Sequence, residues 1–163
     1  MRKYILFMLT IYKLLLFDVI NAKCDEYRVT VSRESSNIYR IIGKDIYIMT
    51  KYCYEYVYYE EALLRMFGYK GEIVFLESGG KCDVDGVFGA VVLNDGDYKV
   101  TITMKETGWY EVEYLDLLIK SSICLRICMF EEVVLRIKNG WGKIIFEDGS
   151  SCYIDGIYKR LSL

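Results

Sequence analysis

The sequence predicts an all-β protein: two tandem copies of a small, disulfide-stapled β domain behind an N-terminal signal peptide, each copy an SH3-like barrel by size. Three observations predict it. The chain matches itself at an offset of 71 residues, its apolar positions alternate with period two, and its cysteines recur at equivalent places in both copies. The first copy reads Cys53, Glu60-Glu61, Leu64-Arg65, Gly71, Ile73, Phe75, Cys82, Asp85-Gly86. The second reads Cys124, Glu131-Glu132, Leu135-Arg136, Gly142, Ile144, Phe146, Cys152, Asp155-Gly156, with one residue fewer after the Phe. The expected division is a signal peptide over 1–22, a first β domain over 23–89, a linker over 90–96 and a second β domain over 97–163.

Taken in order, the chain opens on Arg2 and Lys3, followed by a largely apolar run from Ile5 to Phe17 and then Ile20-Asn21-Ala22. A basic start, a short apolar stretch and a small residue are the marks of a secretory signal cleaved after Ala22. The run is shorter than the ~20 residues of a membrane span and Lys13 interrupts it, so stable insertion after cleavage is not expected. The expected location is secreted or periplasmic.

Each copy then begins with an alternating strand. Tyr27, Val29 and Val31 share one face, with Arg28, Thr30 and Ser32 on the other; Tyr98, Val100 and Ile102 repeat the pattern. Polar turns at Glu34–Asn37 and Lys105–Gly108 lead into Ile38–Ile41 and Trp109–Val112, so each copy opens with a hairpin. Third strands are expected at Ile46–Met49 and Leu117–Ile119, and a strand around Cys53 and Cys124 next. There Tyr54, Tyr56 and Tyr58, matched by Leu125, Ile127 and Met129, form the expected core face. Cys53, Glu55 and Val57 form the wetter one, because the matching positions exchange Glu55 for Arg126. Ala62–Met66 and Val133–Ile137 suit either a short helix or a strand, and the β-branched residues of the second favour strand. The last two strands of each copy flank Ser78-Gly79-Gly80 and Asp148-Gly149-Ser150, the latter a hairpin signal. Asp85-Gly86 and Asp155-Gly156 read as bends or bulges. Val91-Val92-Leu93 is too apolar for a loose tether and is expected to pack between the copies. A small closed barrel is the economical way to protect so many strand edges.

Composition excludes several chemistries. The chain has no His, which removes imidazole acid–base catalysis and His-ligated metal; it has no Pro, so Gly, Asn, Asp and Ser must make the turns. A net charge of −2 argues against a nucleic-acid partner. All six cysteines follow the signal, an even number in an exported chain, and read as disulfides rather than metal ligands. Cys53–Cys82 and Cys124–Cys152 are the expected pairs. Cys24 and Cys128, which have no counterparts, are the expected third. No cofactor or metal is expected.

The paired acids Glu60-Glu61 and Glu131-Glu132 are the carboxylates a glycoside hydrolase would need. Neighbours on a strand point to opposite faces and cannot converge on one substrate, so a polar turn partnered by Arg65 and Arg136 is the expectation. The 16 Tyr and two Trp supply the candidate binding surface: Tyr52, Tyr54, Tyr56, Tyr58, Tyr59, Trp109 and Trp141. The function expected is therefore a non-catalytic binding or structural role toward a protein or glycan. A carboxylate-dependent hydrolase and an inhibitor of a secreted enzyme are the alternatives.

Overall fold

The first described strand, β1 (Asp25–Ser35), carries the alternation read above, and its interior face is what the rest of the first half closes around. A computed structural model describes residues 25–163; the signal over 1–22 and Cys24 lie outside them. All regular structure described is β. After β1 come β2 (Ile38–Ile41), β3 (Ile46–Lys51), β4 (Glu60–Phe67), β5 (Lys70–Phe75) and β6 (Lys81–Ala90). The two ambiguous segments at 62–66 and 133–137 are strands, as the β-branched residues of the second favoured.

These six strands close on themselves. β6 pairs with β3, β3 with β2, β2 with β1, β1 with β4, β4 with β5, and β5 returns to β6. Closure leaves no free edge among them. β6 serves both neighbours from its two edges: residues 83–89 pair with β3, with a register slip at Asp85, while 81–84 pair with β5. Inside lie Val31, Tyr39, Ile48, Leu64, Ile73 and Phe75, all at most 1% exposed.

The second half supplies β7 (Gly96–Glu106), β8 (Trp109–Val112), β9 (Leu117–Lys120), β10 (Glu131–Lys138), β11 (Trp141–Phe146), β12 (Ser151–Ile154) and β13 (Gly156–Arg160). Their order is β12-β11-β10-β7-β8-β9-β13. The first and last of these are consecutive in the chain and separated only by a bend at Asp155, so the two ends of this sheet meet in one length of backbone. The registers follow the sequence match. Val29 faces Ala62 and Val100 faces Val133; Ala62 faces Phe75 and Val133 faces Phe146; Val31 faces Ile41 and Ile102 faces Val112. Bulges fall at Arg33/Ser35 and at Met104/Glu106.

β6 pairs antiparallel with β13, which joins the two halves in one sheet: Phe88 faces Arg160, Gly89 faces Lys159 and Ala90 faces Tyr158. The pairing is self-complementary at an offset of 70, since exchanging each residue for its counterpart turns Phe88–Arg160 into Tyr158–Ala90. Beneath it sits a buried cluster of Ile38, Tyr47, Met49, Phe88, Trp109, Leu118 and Tyr158. Tyr47 meets Trp109 and Tyr158 edge-on, each with ring centroids 4.8 Å apart. Lys120 lies 5.2 Å from the Trp109 ring and pairs with Glu34 across the halves, and Asn37 donates to Glu106 at 2.6 Å. The connection over 90–96 meets its expectation only in part, with Val91 and Leu93 half-buried. Its Val91 amide donates to Ile157, but Val92 is 89% exposed and packs against neither half.

Candidate functional site

Two disulfides join Cys53 to Cys82 and Cys124 to Cys152, each with Cα atoms 5.4 Å apart and closing loops of 29 and 28 residues. In the chain-entropy account each stabilises by about 3–4 kcal/mol. Among the described residues Cys128 is a buried thiol with no disulfide partner, and burial raises its pKa; Cys24, its expected partner, lies outside them.

The disulfides decide what the segments after Cys53 and Cys124 do. These are not paired strands, as expected, but extended stretches held against their sheets by a few bonds. In the first, the Val57 carbonyl accepts from the Arg33 amide at 2.9 Å, the Glu55 carbonyl accepts from the Tyr39 hydroxyl at 2.7 Å, and the Cys53 amide donates to Asn37. In the second, the Cys128 carbonyl accepts from the Met104 amide at 2.9 Å, and the Tyr110 hydroxyl lies 3.0 Å from the Cys124 and Arg126 carbonyls, to which it donates. Tyr39 and Tyr110 are thus buried posts under matching lengths of chain. Burial, the largest cause for each, pushes both phenols up to about 12.

The bridges also set which face turns inward, and it is the reverse of the sequence expectation. Cys53 and Val57 are buried, as are Cys124 and Cys128. Tyr54, Tyr56 and Tyr58 stand in solvent, as do Leu125, Ile127 and Met129; Tyr56 is 85% and Ile127 83% exposed. A cystine cannot reach its partner from the solvent side, so the Cys parity takes the interior whatever the hydropathy of its neighbours. The charged residues carried inward are accommodated singly. Glu55 lies so close to Gly80 that a Cβ there would sit 2.2 Å from its carboxyl carbon. Arg126 meets Glu131 at 2.5 Å and Asp148 at 2.6 Å and lies 4.4 Å from the Phe146 ring centroid. Those carboxylates raise its pKa further.

The exposed set is therefore two ridges. Tyr52 and Tyr59 complete the first, with Tyr58 and Tyr59 edge-on at 4.7 Å and the Arg33 guanidinium 5.4 Å from the Tyr56 ring. Ile123 and Phe130 complete the second. Tyr52, Tyr59 and Phe130 hold φ of 49°, 55° and 51°, a left-handed backbone that bulky residues rarely adopt. Such strain persists where surrounding structure imposes it, often at functional sites. Of the other candidates, Trp141 is exposed on β11, whereas Trp109 is 3% exposed in the junction cluster and cannot meet a ligand. The aliphatic ridge was not singled out from sequence because its residues read as core.

The acidic pairs open β4 and β10 rather than forming turns. Glu60 is 7% exposed, and one of its oxygens accepts from the amides of Glu77 and Ser78, both at 2.9 Å. Glu61 points outward to Arg28 at 2.5 Å, so the neighbours diverge. Arg65 pairs with Glu26 and Glu72, and Arg136 with Asp97, in place of the expected acidic pairs. A shallow cleft of about 330 Å³ on the outer face of β7, β10 and β11 carries Lys99, Glu132 and Glu147. Among the described residues no three metal-ligating side chains come together, and no helix is long and apolar enough to cross a membrane. No family model, curated protein or solved structure matches the chain.

Proposed function

We propose that this chain is an exported protein of two tandem β domains that acts by binding, without catalysis, and that the tyrosine ridge is its contact surface. One observation carries the reading. Five tyrosines stand in solvent on a segment that a disulfide, the Tyr39 hydroxyl and the Arg33 amide hold extended, so little conformational entropy is lost when they are covered. Tyr offers a flat apolar face with a polar tip, which suits a protein or a glycan alike. The matching registers of the two halves support the tandem reading, with domains at 23–89 and 97–163. The size of each unit, roughly 65 residues, is what suggests the SH3-like label among small barrels. The two disulfides support secretion or a periplasmic location, where thiols oxidise.

The test is to screen the disulfide-bonded chain against glycan arrays and displayed peptide libraries, beside a Tyr54→Ser/Tyr56→Ser/Tyr58→Ser variant. The side chains are exposed, so the variant should melt as the parent does and lose the bound ligand. Binding that survives all three substitutions would show that the ridge is not the surface.

A further inference from the structure

The two ridges start from one junction. The first begins at Cys53, whose amide donates to Asn37; Asn37 in turn donates to Glu106 on the tip of the opposite hairpin. The second begins at Cys124, whose amide donates to Ser121, and Ser121 donates to Gly108 on that same tip. Hairpin tips 34–37 and 105–108 therefore meet at the junction of the halves, and a ridge leaves the junction on each side. The self-complementary β6–β13 pairing gives this arrangement an approximate two-fold axis.

The two sides differ in chemistry. One is all tyrosine; the other presents Ile123, Leu125, Ile127, Met129 and Phe130. At 150–250 Å² per aromatic side chain, the tyrosines alone expose on the order of 750 Å². That already exceeds the ~300–600 Å² of the largest apolar patch on an ordinary monomer and matches the ~800 Å² per partner of a stable interface. The aliphatic ridge roughly doubles it, which brings a face-to-face pair into the range of obligate homodimers. Its charges are few: Arg33 sits over Tyr56 and donates to the Ser35 and Ser36 carbonyls, and Arg126 is held by Glu131 and Asp148. Nothing here selects an anionic lipid or a polyanion.

We infer that the occupant is a second copy of this chain, docked face to face so that the tyrosine ridge of each lies on the aliphatic ridge of the other. A two-fold axis lying in the contact plane, perpendicular to the internal one, makes both contacts at once and buries the Ile and Leu side chains under Tyr faces. The inference rests on the reading of the tyrosine ridge as a binding surface and names its partner.

Sedimentation velocity on the disulfide-bonded chain at micromolar concentration tests it with no ligand to identify. The parent should sediment as a dimer. Tyr54→Lys/Tyr56→Lys and Leu125→Asp/Ile127→Asp should each sediment as monomers while keeping the parent's β-sheet spectrum and melting. Mixing the two variants should restore a dimer, because one contact regains Tyr on aliphatic and the other sets Lys against Asp. A parent that stays monomeric overturns the inference, as does a mixture that fails to pair. A monomer that still takes a glycan or peptide through the tyrosines would leave the binding reading standing without this partner; a monomer that floats with phosphatidylcholine vesicles would assign the surface to a membrane instead.

Discussion

Tyr39 and Tyr110 show how much one hydroxyl can organise. Each is buried in its half, and each reaches carbonyls of an extended segment that has little else to hold it. Replacing either by Phe leaves those carbonyls without the donor, which should cost about 1–3 kcal/mol and loosen the ridge above. Thermal melting gives the first effect, and amide exchange over 53–58 or 124–129 gives the second. The same residues set an alkaline limit. Their folded pKa of about 12 exceeds the unfolded value of about 10, so the folded state retains their protons more strongly. The stability they contribute is complete below pH ~10 and is lost as pH rises from there through ~12. The melting temperature should fall across that window in the parent and fall less steeply in the Tyr39→Phe/Tyr110→Phe variant. Glu60 is a second organising residue. Its carboxylate ties the exposed 77–78 turn to β4, so Glu60→Ala removes two charge-assisted hydrogen bonds and should cost about 1–3 kcal/mol by denaturant titration.

At the scale of elements, the segments after Cys53 and Cys124 behave differently from the strands around them. The strands are held by ladders and by apolar packing on the barrel side. The segments are held at isolated points: one cystine, one tyrosine hydroxyl and two amide hydrogen bonds each. Reduction should therefore act on them more than on the strands. We expect urea midpoints to drop on reduction by an amount equivalent to several kcal/mol in total, with the 53–58 and 124–129 amides losing protection before those of β1 and β4. Uniform loss of protection would show that the cystines stabilise the barrels as wholes. Cys128, buried with a raised pKa, should react with a thiol reagent in the native protein far more slowly than after unfolding.

In the whole molecule, the halves are joined through a β-ladder and a shared cluster rather than through a tether. Trp109 is central to that cluster, with Tyr47 and Tyr158 on its ring and Lys120 over it. Trp109→Ala removes a buried indole and should cost about 3–5 kcal/mol. It should also uncouple the halves, so that a single calorimetric transition becomes two. One transition in the variant would mean that the β6–β13 pairing suffices for cooperativity.

Much of the chain's order was legible one residue at a time. Alternation named the strands and the matched cysteines named both disulfides, because these depend on local period and on spacing along the chain. The orientation of the 53–58 and 124–129 segments was not legible. Hydropathy placed Tyr and Leu inside, yet the cystines must face the interior, and on an extended chain choosing one parity expels the other. Trp109 was misplaced for a related reason: a residue beside a turn reads as exposed until a second unit covers it. The junction, and the apolar surface that leaves it on either side, were decided by tertiary structure, because only the meeting of the two halves determines which apolar residues there is no core left to bury.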